Sequence, residues 1–321
     1  MIGVRTPFRI SFAGGITDLP VFYKNYGGKV ISTSINKYMY HFIHKFDKEL
    51  IQIKYSETEI VNDPKKINHK IVRKIAEEYD LTGLDINSIA DIQKGSGLGS
   101  SSAYTVGLLN GLNTYYGKKI SKHELAKISS DLEINGLGEP IGKQDQYAST
   151  FGGLNKIIFN KDESVEIEKL HLEEQVTSYL NASLILIKVG VSRSASDILK
   201  KQKKSFEEDT NTQLGLNILK LVDPMIKSIL ECNIKEMGQI LNENWELKRK
   251  LSDQVSNQQV DELIKEINSI KGIYGSKLLG AGSSGYLLVV GEPKVLYTLN
   301  KYDSLSFRLE EEGSTVFYNN S

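Results

Sequence analysis

The sequence is poor in cysteine: Cys232 stands alone among 321 residues, so no disulfide can close within the chain. Histidine is nearly as sparse. His41, His44, His69, His123 and His171 are scattered, and none joins a cysteine at a zinc-binding spacing. His41 and His44 fall in an apolar, aromatic stretch and read as strand or surface residues. Neither sign of charge is in excess, with 40 lysines and arginines against 40 aspartates and glutamates. Nucleic-acid binders usually carry a basic excess or stripe, so that class of partner is not expected. A small anionic substrate needs only two or three local cations and stays open. No apolar run approaches the ~20 residues of a membrane-spanning helix, and Met1–Arg5 lacks a signal peptide's apolar core. No membrane partner is expected, and the cytoplasm is the expected location. Internal repeats and low-complexity segments are missing too.

What is present sorts by period. The length exceeds what one hydrophobic core usually absorbs, which points to two lobes, residues 1–180 and 181–321. Val4, Phe8, Ile10 and Phe12 make residues 3–14 extended. Leu19-Pro20 starts a short helix that Gly27-Gly28 ends. Residues 29–46 and 50–55 read as strands, antiparallel around Asp47-Lys48-Glu49. Asp63-Pro64 opens a helix with Ile71, Val72, Ile75, Ala76 and Tyr79 on one face. A strand over 84–92 runs into a Gly/Ser loop, and helical periodicity follows from Ser100 to Tyr116. Ser121 to Glu124 is a capping box with Ile120 and Leu125 as staple, starting a helix that reaches about Glu133. Residues 143–150 are helical, 154–160 and 183–189 extended, and 194–270 mostly helical with a break at Asp223-Pro224. Strands near 276–280, 286–290 and 305–310 close the chain, with a helix from Pro293. Antiparallel strands with segregated helices make the fold class α+β.

Five segments carry chemistry. Gly95, Ser96, Gly97, Leu98, Gly99, Ser100, Ser101 and Ser102 place three glycines at alternate positions, directly before a helix. Glycine permits positive φ and close approach, and a helix N-terminus favours an anion. The serines add hydroxyl donors and a possible Mg²⁺ ligand. A flexible linker is the rival reading, but an apolar strand before it and a periodic helix after it favour phosphate binding. The second loop, Gly280 to Gly285 with Gly282 at its centre, is either a tight hairpin or a close backbone approach to substrate or phosphate. Asp145, just after Gly142-Lys143-Gln144, is either a helix N-terminal charge or a catalytic carboxylate. Glu133 ends a helix where an acid opposes the dipole. Finally, the strand around Arg9 runs into Gly14-Gly15 and then Thr17-Asp18.

In this order the five segments resemble the GHMP kinase superfamily, which includes galactokinase, homoserine kinase, mevalonate kinase and phosphomevalonate kinase. Pro7, Arg9, Gly14, Thr17 and Asp18 fall at the galactokinase offsets, and the Gly-Leu-Gly-Ser-Ser run matches the family's ATP-phosphate motif. Arg9 to Gly15, Gly142 to Ala148 and Val191 to Ser196 are most similar to the bacterial D-glycero-D-manno-heptose 7-phosphate kinases. Two departures stand out: Gly15 replaces the glutamate of galactokinases, and Gln93-Lys94 replaces a proline before the second motif.

The resemblance implies a ribosomal-protein-S5-domain-2-like N-terminal lobe and a ferredoxin-like C-terminal lobe, working as a monomer or homodimer. It implies ATP and Mg²⁺ as cofactors, with Ser101 and Glu133 on the metal. Asp145 would deprotonate the attacking hydroxyl and Arg9 would support it. Thr17, Asp18, Gly142 and Gly282 would meet the sugar, and Arg193 or Lys143 its distal phosphate. The implied activity is phosphorylation of heptose 7-phosphate at its anomeric hydroxyl, giving the 1,7-bisphosphate for nucleotide-heptose and surface polysaccharide. Alternatives are an anomeric kinase for fucose, galactose or an N-acetylhexosamine, and a non-catalytic sugar and ATP sensor.

Overall fold

Strand β1 (Ile2–Ala13) is buried at nearly every position, not only at its alternating apolar ones. It is an interior strand, paired on one side with β2 (Gly28–Lys45) and on the other with the chain's last strand. The structure, a computed structural model, describes residues 1–190, 195–208 and 210–320. Among these, β1 and β2 belong to a nine-stranded sheet with β3 (Ile51–Lys54), β4 (Thr58–Val61), β5 (Leu84–Ala90), β6 (Leu154–Phe159) and β7 (Val165–Leu170). A second, four-stranded sheet holds β8 (Leu184–Val189), β9 (Ile273–Leu278), β10 (Gly285–Gly291) and β11 (Ser304–Leu305), all antiparallel. The chain then returns to the first sheet, where β12 (Leu309–Glu310) pairs β2 and β13 (Thr315–Asn319) pairs β1.

Two local expectations change. β2 and β3 do not form a hairpin, because β5 lies between them, antiparallel to β2 and parallel to β3. The helix expected from Pro64 stops after one turn, Pro64–Lys66. Glu59 accepts hydrogen bonds from the Asn68 and His69 amides, which holds that segment out of a helix. After α1 (Pro20–Tyr26), helix α2 therefore starts at Lys70 and runs to Glu78, with His69 as its cap.

Helix α3 (Ser100–Tyr115) packs on β1 and β2, followed by α4 (Lys122–Asp131), a π-helical turn over Leu132–Gly136 and α5 (Gln144–Phe151). Ser121 caps α4 by accepting from the Glu124 amide at 3.1 Å. Past α6 (Glu174–Ser183) come α7 (Ala195–Glu207), α8 (Thr212–Lys220), α9 (Val222–Leu230), α10 (Ile234–Arg249), α11 (Gln258–Asn268) and α12 (Pro293–Leu296). The break expected at Pro224 lies at Leu221, since proline is accepted in a first turn. One core joins both sheets, from Phe8, Ile10 and Leu109 to Leu186, Met225 and Leu288. That continuity fixes the Gly/Ser loop against the second sheet.

Candidate active site

Gly95, Gly97 and Gly99 all have positive φ, near 75–77°, so the alternate glycines are required by the backbone path. The Tyr286 amide donates to Ser96 O at 3.0 Å and the Arg9 amide to Leu98 O at 3.1 Å. A Cβ on Gly97 would meet Leu279 O at 2.6 Å, and one on Gly280 would meet the Gly97 Cα at 2.4 Å. The two glycine-rich loops are thus packed backbone against backbone, and the first is no linker. The second is both a hairpin and a buttress. Gly99 enters α3 in the left-handed conformation with no side-chain cap, leaving the first-turn amides without a side-chain acceptor.

This loop forms one wall of a cavity of about 620 Å³. Gly95, Gly97, Gly99, Ser100, Ser101 and Ser102 line it, together with Arg9, Asp18, Glu133, Gly142 and Asp145. Ser96 and Leu98 turn inward instead: the Ser96 hydroxyl accepts from the Leu98 amide, and Leu98 is buried. Arg9 grips Asp145 with both arms, Nε to Oδ1 and Nη2 to Oδ2 at 2.7 Å each, while Nη1 donates to Gly97 O at 2.7 Å. A bidentate pair of this kind fixes direction as well as charge. One guanidinium therefore ties the nucleotide-type loop to the acid in the first turn of α5.

Glu133 sits on the π-helical turn, 1% exposed, and accepts from Ser102 (2.7 Å), Thr105 (2.5 Å), Ser101 (3.4 Å) and the Gln146 amide. Burial pushes its carboxyl up, those hydrogen bonds pull it back down, and Asp145 adds an upward push. Ser101 faces solvent at the loop. An all-oxygen pair with few protein ligands suits Mg²⁺, which keeps waters on its remaining positions, and Gln146 Oε1 is a further buried oxygen without a partner among the described residues. Among the described residues, no cluster of three His, Cys, Asp or Glu side chains offers a richer site.

Asp18 is a buried residue of the cavity lining and takes hydrogen bonds from the Ile16 amide (3.0 Å), the Gln144 amide (3.1 Å) and Gln144 Nε2 (3.2 Å). Burial first, and then Asp145, push its carboxyl up to about 6. Were Asp18 to hold a substrate hydroxyl, its ionised form would accept from it in a way the neutral acid does not. Acceptor kcat/KM should therefore fall as pH drops below about 6, and in Asp18→Asn it should be low and flat there. A wild-type profile flat from pH 5 to 7 would remove Asp18 from substrate binding.

Three expected substrate residues stand elsewhere. The Thr17 hydroxyl donates to Gly14 O (2.7 Å) and Lys29 O (2.9 Å) and accepts from the Lys29 amide (3.1 Å), so it clasps the turn after β1 and does not line the cavity. Thr17→Val should cost about 1–3 kcal/mol of stability and leave the acceptor KM unchanged; a raised KM at unchanged stability would return the hydroxyl to the substrate. Lys143 turns away as well, with Nζ over the Tyr23 ring at 5.0 Å and donating to Glu163 O at 3.3 Å. Gly282 packs on Val255, where a Cβ would meet the carbonyl at 2.4 Å, leaving Gly280 and Ala281 to face the cavity. Gly142 does line it, for a steric reason: a Cβ there would lie 1.9 Å from Asp18 Oδ2. Arg193, Ser192 and Ser194 lie outside the described residues.

Sequence reasoning missed Ser11, Gln144, Gln202, Asn244, Lys248 and Lys277, all cavity-lining. One signal was available for Lys248, which continues the apolar stripe of Met237, Leu241 and Trp245 at helical spacing. A charge on a core-facing stripe marks a site.

The family model for the GHMP kinases N terminal domain matches residues 66–153, and that for GHMP kinases C terminal matches 225–301. Together they span more than half of the chain. The chain belongs to the GHMP kinase superfamily. This GHMP kinase is 27% identical over 313 residues to the D-glycero-alpha-D-manno-heptose 7-phosphate kinase of Campylobacter jejuni, covering 94% of this chain and 92% of that one. It is 24% identical over 339 residues to a galactokinase of Thermosipho africanus, covering 96% and 93%. Its fold matches a crystal structure of a D-glycero-D-manno-heptose 1-phosphate kinase from Bacteriodes thetaiotaomicron with a TM-score of 0.80, 22% identity and full coverage of both chains. As a GHMP kinase it is a phosphotransferase that uses ATP, and the α+β fold expected from the sequence is the fold observed. No helix among its described residues is long and apolar enough to cross a membrane.

Proposed function

We propose that this GHMP kinase is a sugar 1-kinase that transfers the γ-phosphoryl group of ATP to the anomeric hydroxyl of D-glycero-D-manno-heptose 7-phosphate, giving the 1,7-bisphosphate. The Arg9–Asp145 fork carries the reading, since it aims a carboxylate at the space between the Gly/Ser loop and Asp18. A carboxylate has about four lone-pair positions, and Arg9 takes two, so two remain for an attacking hydroxyl. Asp145 orients that hydroxyl and takes its proton as the bond to the γ-phosphorus forms and the bond from that phosphorus to the β,γ-bridging oxygen breaks, releasing ADP. An anomeric hydroxyl is more acidic than an ordinary alcohol, so a carboxylate pinned by arginine is base enough. Arg9 also brings positive charge to where negative charge develops.

Ser101 and Glu133 would hold Mg²⁺, which when bound neutralises charge on the β- and γ-phosphates. Gly15 supports the heptose reading over galactose: the position of the galactokinase glutamate carries no side chain, and Gln144 and Ser11 border the space a Cβ would enter. The likeness to the heptose 7-phosphate kinase along nearly its whole length supports the same acceptor. A product of this kind leads toward nucleotide-activated heptose. Steady-state rates with ATP and a panel of heptose 7-phosphate, fucose, galactose and N-acetylhexosamines test the reading. Heptose 7-phosphate should have the highest kcat/KM; a free hexose ranking first would overturn the assignment.

A further inference from the structure

Two lysines that the chemistry above does not use are buried in the same cavity. Lys248, in the last turn of α10, is 7% exposed, and Lys277, in β9, is 3% exposed, yet both line the cavity. Lysine is rarely buried without a partner of opposite charge. Here Lys277 Nζ donates to Ser11 O at 3.0 Å and Phe12 O at 2.9 Å, and Lys248 Nζ to Leu278 O at 3.2 Å and Gly280 O. Among the described residues, no acidic side chain pairs with either. In the protonated form, which a bound anion would favour, each side chain has three N–H donors, so these bonds leave one on each. The nearby charge is positive. Burial and then Arg9 push Lys248 down to about 7, and burial, Lys248 and Arg9 push Lys277 well below the usual lysine range. Arg9 has Asp145 as its counter-ion; the two lysines have none in the described structure.

Polar atoms without partners surround the same space. Among the described residues, neither the amide nitrogen nor the amide oxygen of Gln202, on α7, has a hydrogen-bond partner, and the residue is 1% exposed. The buried Ser11 hydroxyl likewise has no partner among the described residues, and both residues line the cavity. Asn244 lies one helical turn before Lys248 on α10 and lines it too. A buried polar group left unsatisfied costs roughly 1–3 kcal/mol, and here the missing partners lie where a ligand can supply them.

We propose that Lys248 and Lys277, with Gln202 and Ser11, form the subsite for the acceptor's own phosphate group, set on the second sheet's side of the cavity. This rests on the reading of the cavity as a sugar kinase's acceptor site. It moves the distal phosphate off Lys143, whose ammonium is turned to Tyr23 and Glu163.

Kinetics with heptose 7-phosphate and with the same heptose lacking its phosphate test the subsite. Lys277→Gln should raise the KM of the phosphorylated sugar tenfold to a hundredfold, roughly the worth of a charged hydrogen bond, and leave that of the free sugar within about twofold. An equal loss on both sugars, or a change confined to the KM of ATP, overturns the proposal. Because Lys277 also ties down β1, Gln202→Ala serves as a milder second variant with the same expected selectivity. The wild-type protein supplies an independent reading through Trp245, the chain's one tryptophan, whose ring centroid is 6.0 Å from Lys248 Nζ. With the nucleotide loop filled by a non-hydrolysable ATP analogue, inorganic phosphate at fixed ionic strength should change Trp245 emission saturably. No saturable change contradicts the subsite. Were the wild type to turn over only unphosphorylated sugars, the heptose 7-phosphate reading would fall, while this titration would still decide whether the lysines bind phosphate.

Discussion

Asp145→Asn should lower kcat by about 10²–10⁴, the usual worth of a positioned general base, and leave the Kd of ATP unchanged. The asparagine keeps the volume and one oxygen, so Arg9 retains one arm of its fork and its bond to Gly97 O. What disappears is the second oxygen and the capacity to take a proton. Since Arg9 still holds the Gly/Ser loop, nucleotide affinity is the internal control. Isothermal titration with an ATP analogue and single-turnover transfer, run on the same preparation, separate the two quantities. A variant that binds ATP normally and transfers at the wild-type rate removes Asp145 from the reaction. A variant that loses both would make the acid a strut of the loop and no base.

Glu133→Gln carries the second large effect. The wild-type carboxylate accepts from Ser101, Ser102, Thr105 and Gln146, and it donates nothing. An amide puts an N–H₂ against at least one of those donors. The apo protein should therefore lose about 1–3 kcal/mol of stability, a readout independent of metal and turnover. Half-saturation by Mg²⁺ should also shift upward by at least about tenfold. Loss of stability with an unchanged Mg²⁺ dependence would make Glu133 a buried anchor for the start of α3 and nothing more. A loss of stability together with an upward shift in Mg²⁺ half-saturation is the expected pair.

The segments that sequence alone made legible are those whose geometry is local. Gly95, Gly97 and Gly99 declare a positive-φ path by composition, and the Ser121 capping box declares a helix start; both are present as read. Arg9 and Asp145 were legible as motif positions, but their pairing spans 136 residues and needed the fold. Long-range pairing also misled: Asp47-Lys48-Glu49 looks like a hairpin turn until β5, some forty residues on, takes the place beside β2. At Asp63-Pro64 the start signal is real, with Asp63 accepting from the Lys65 amide, but the competing bonds to Glu59 end the helix at once. Thr17 fits a sugar-binding motif, yet its hydroxyl is spent on Gly14 and Lys29. Lys277 and Gln202 were illegible because neither stands out from its own element, Gln202 being one of many polar residues in α7 and Lys277 a single lysine in a short strand, while the place of Lys248 on the apolar stripe of α10 names a site but no ligand. Only the packing of α7, α10 and β9 around one cavity gives them a common purpose.

The position of the transferred group is the most direct test. Phosphorus NMR of the product from ATP and heptose 7-phosphate should show the original 7-phosphate resonance unchanged and a new one split by the anomeric proton. A new phosphorus coupled to any other ring or chain proton, or a diphosphate signal from transfer onto the existing phosphate, would contradict an anomeric sugar kinase.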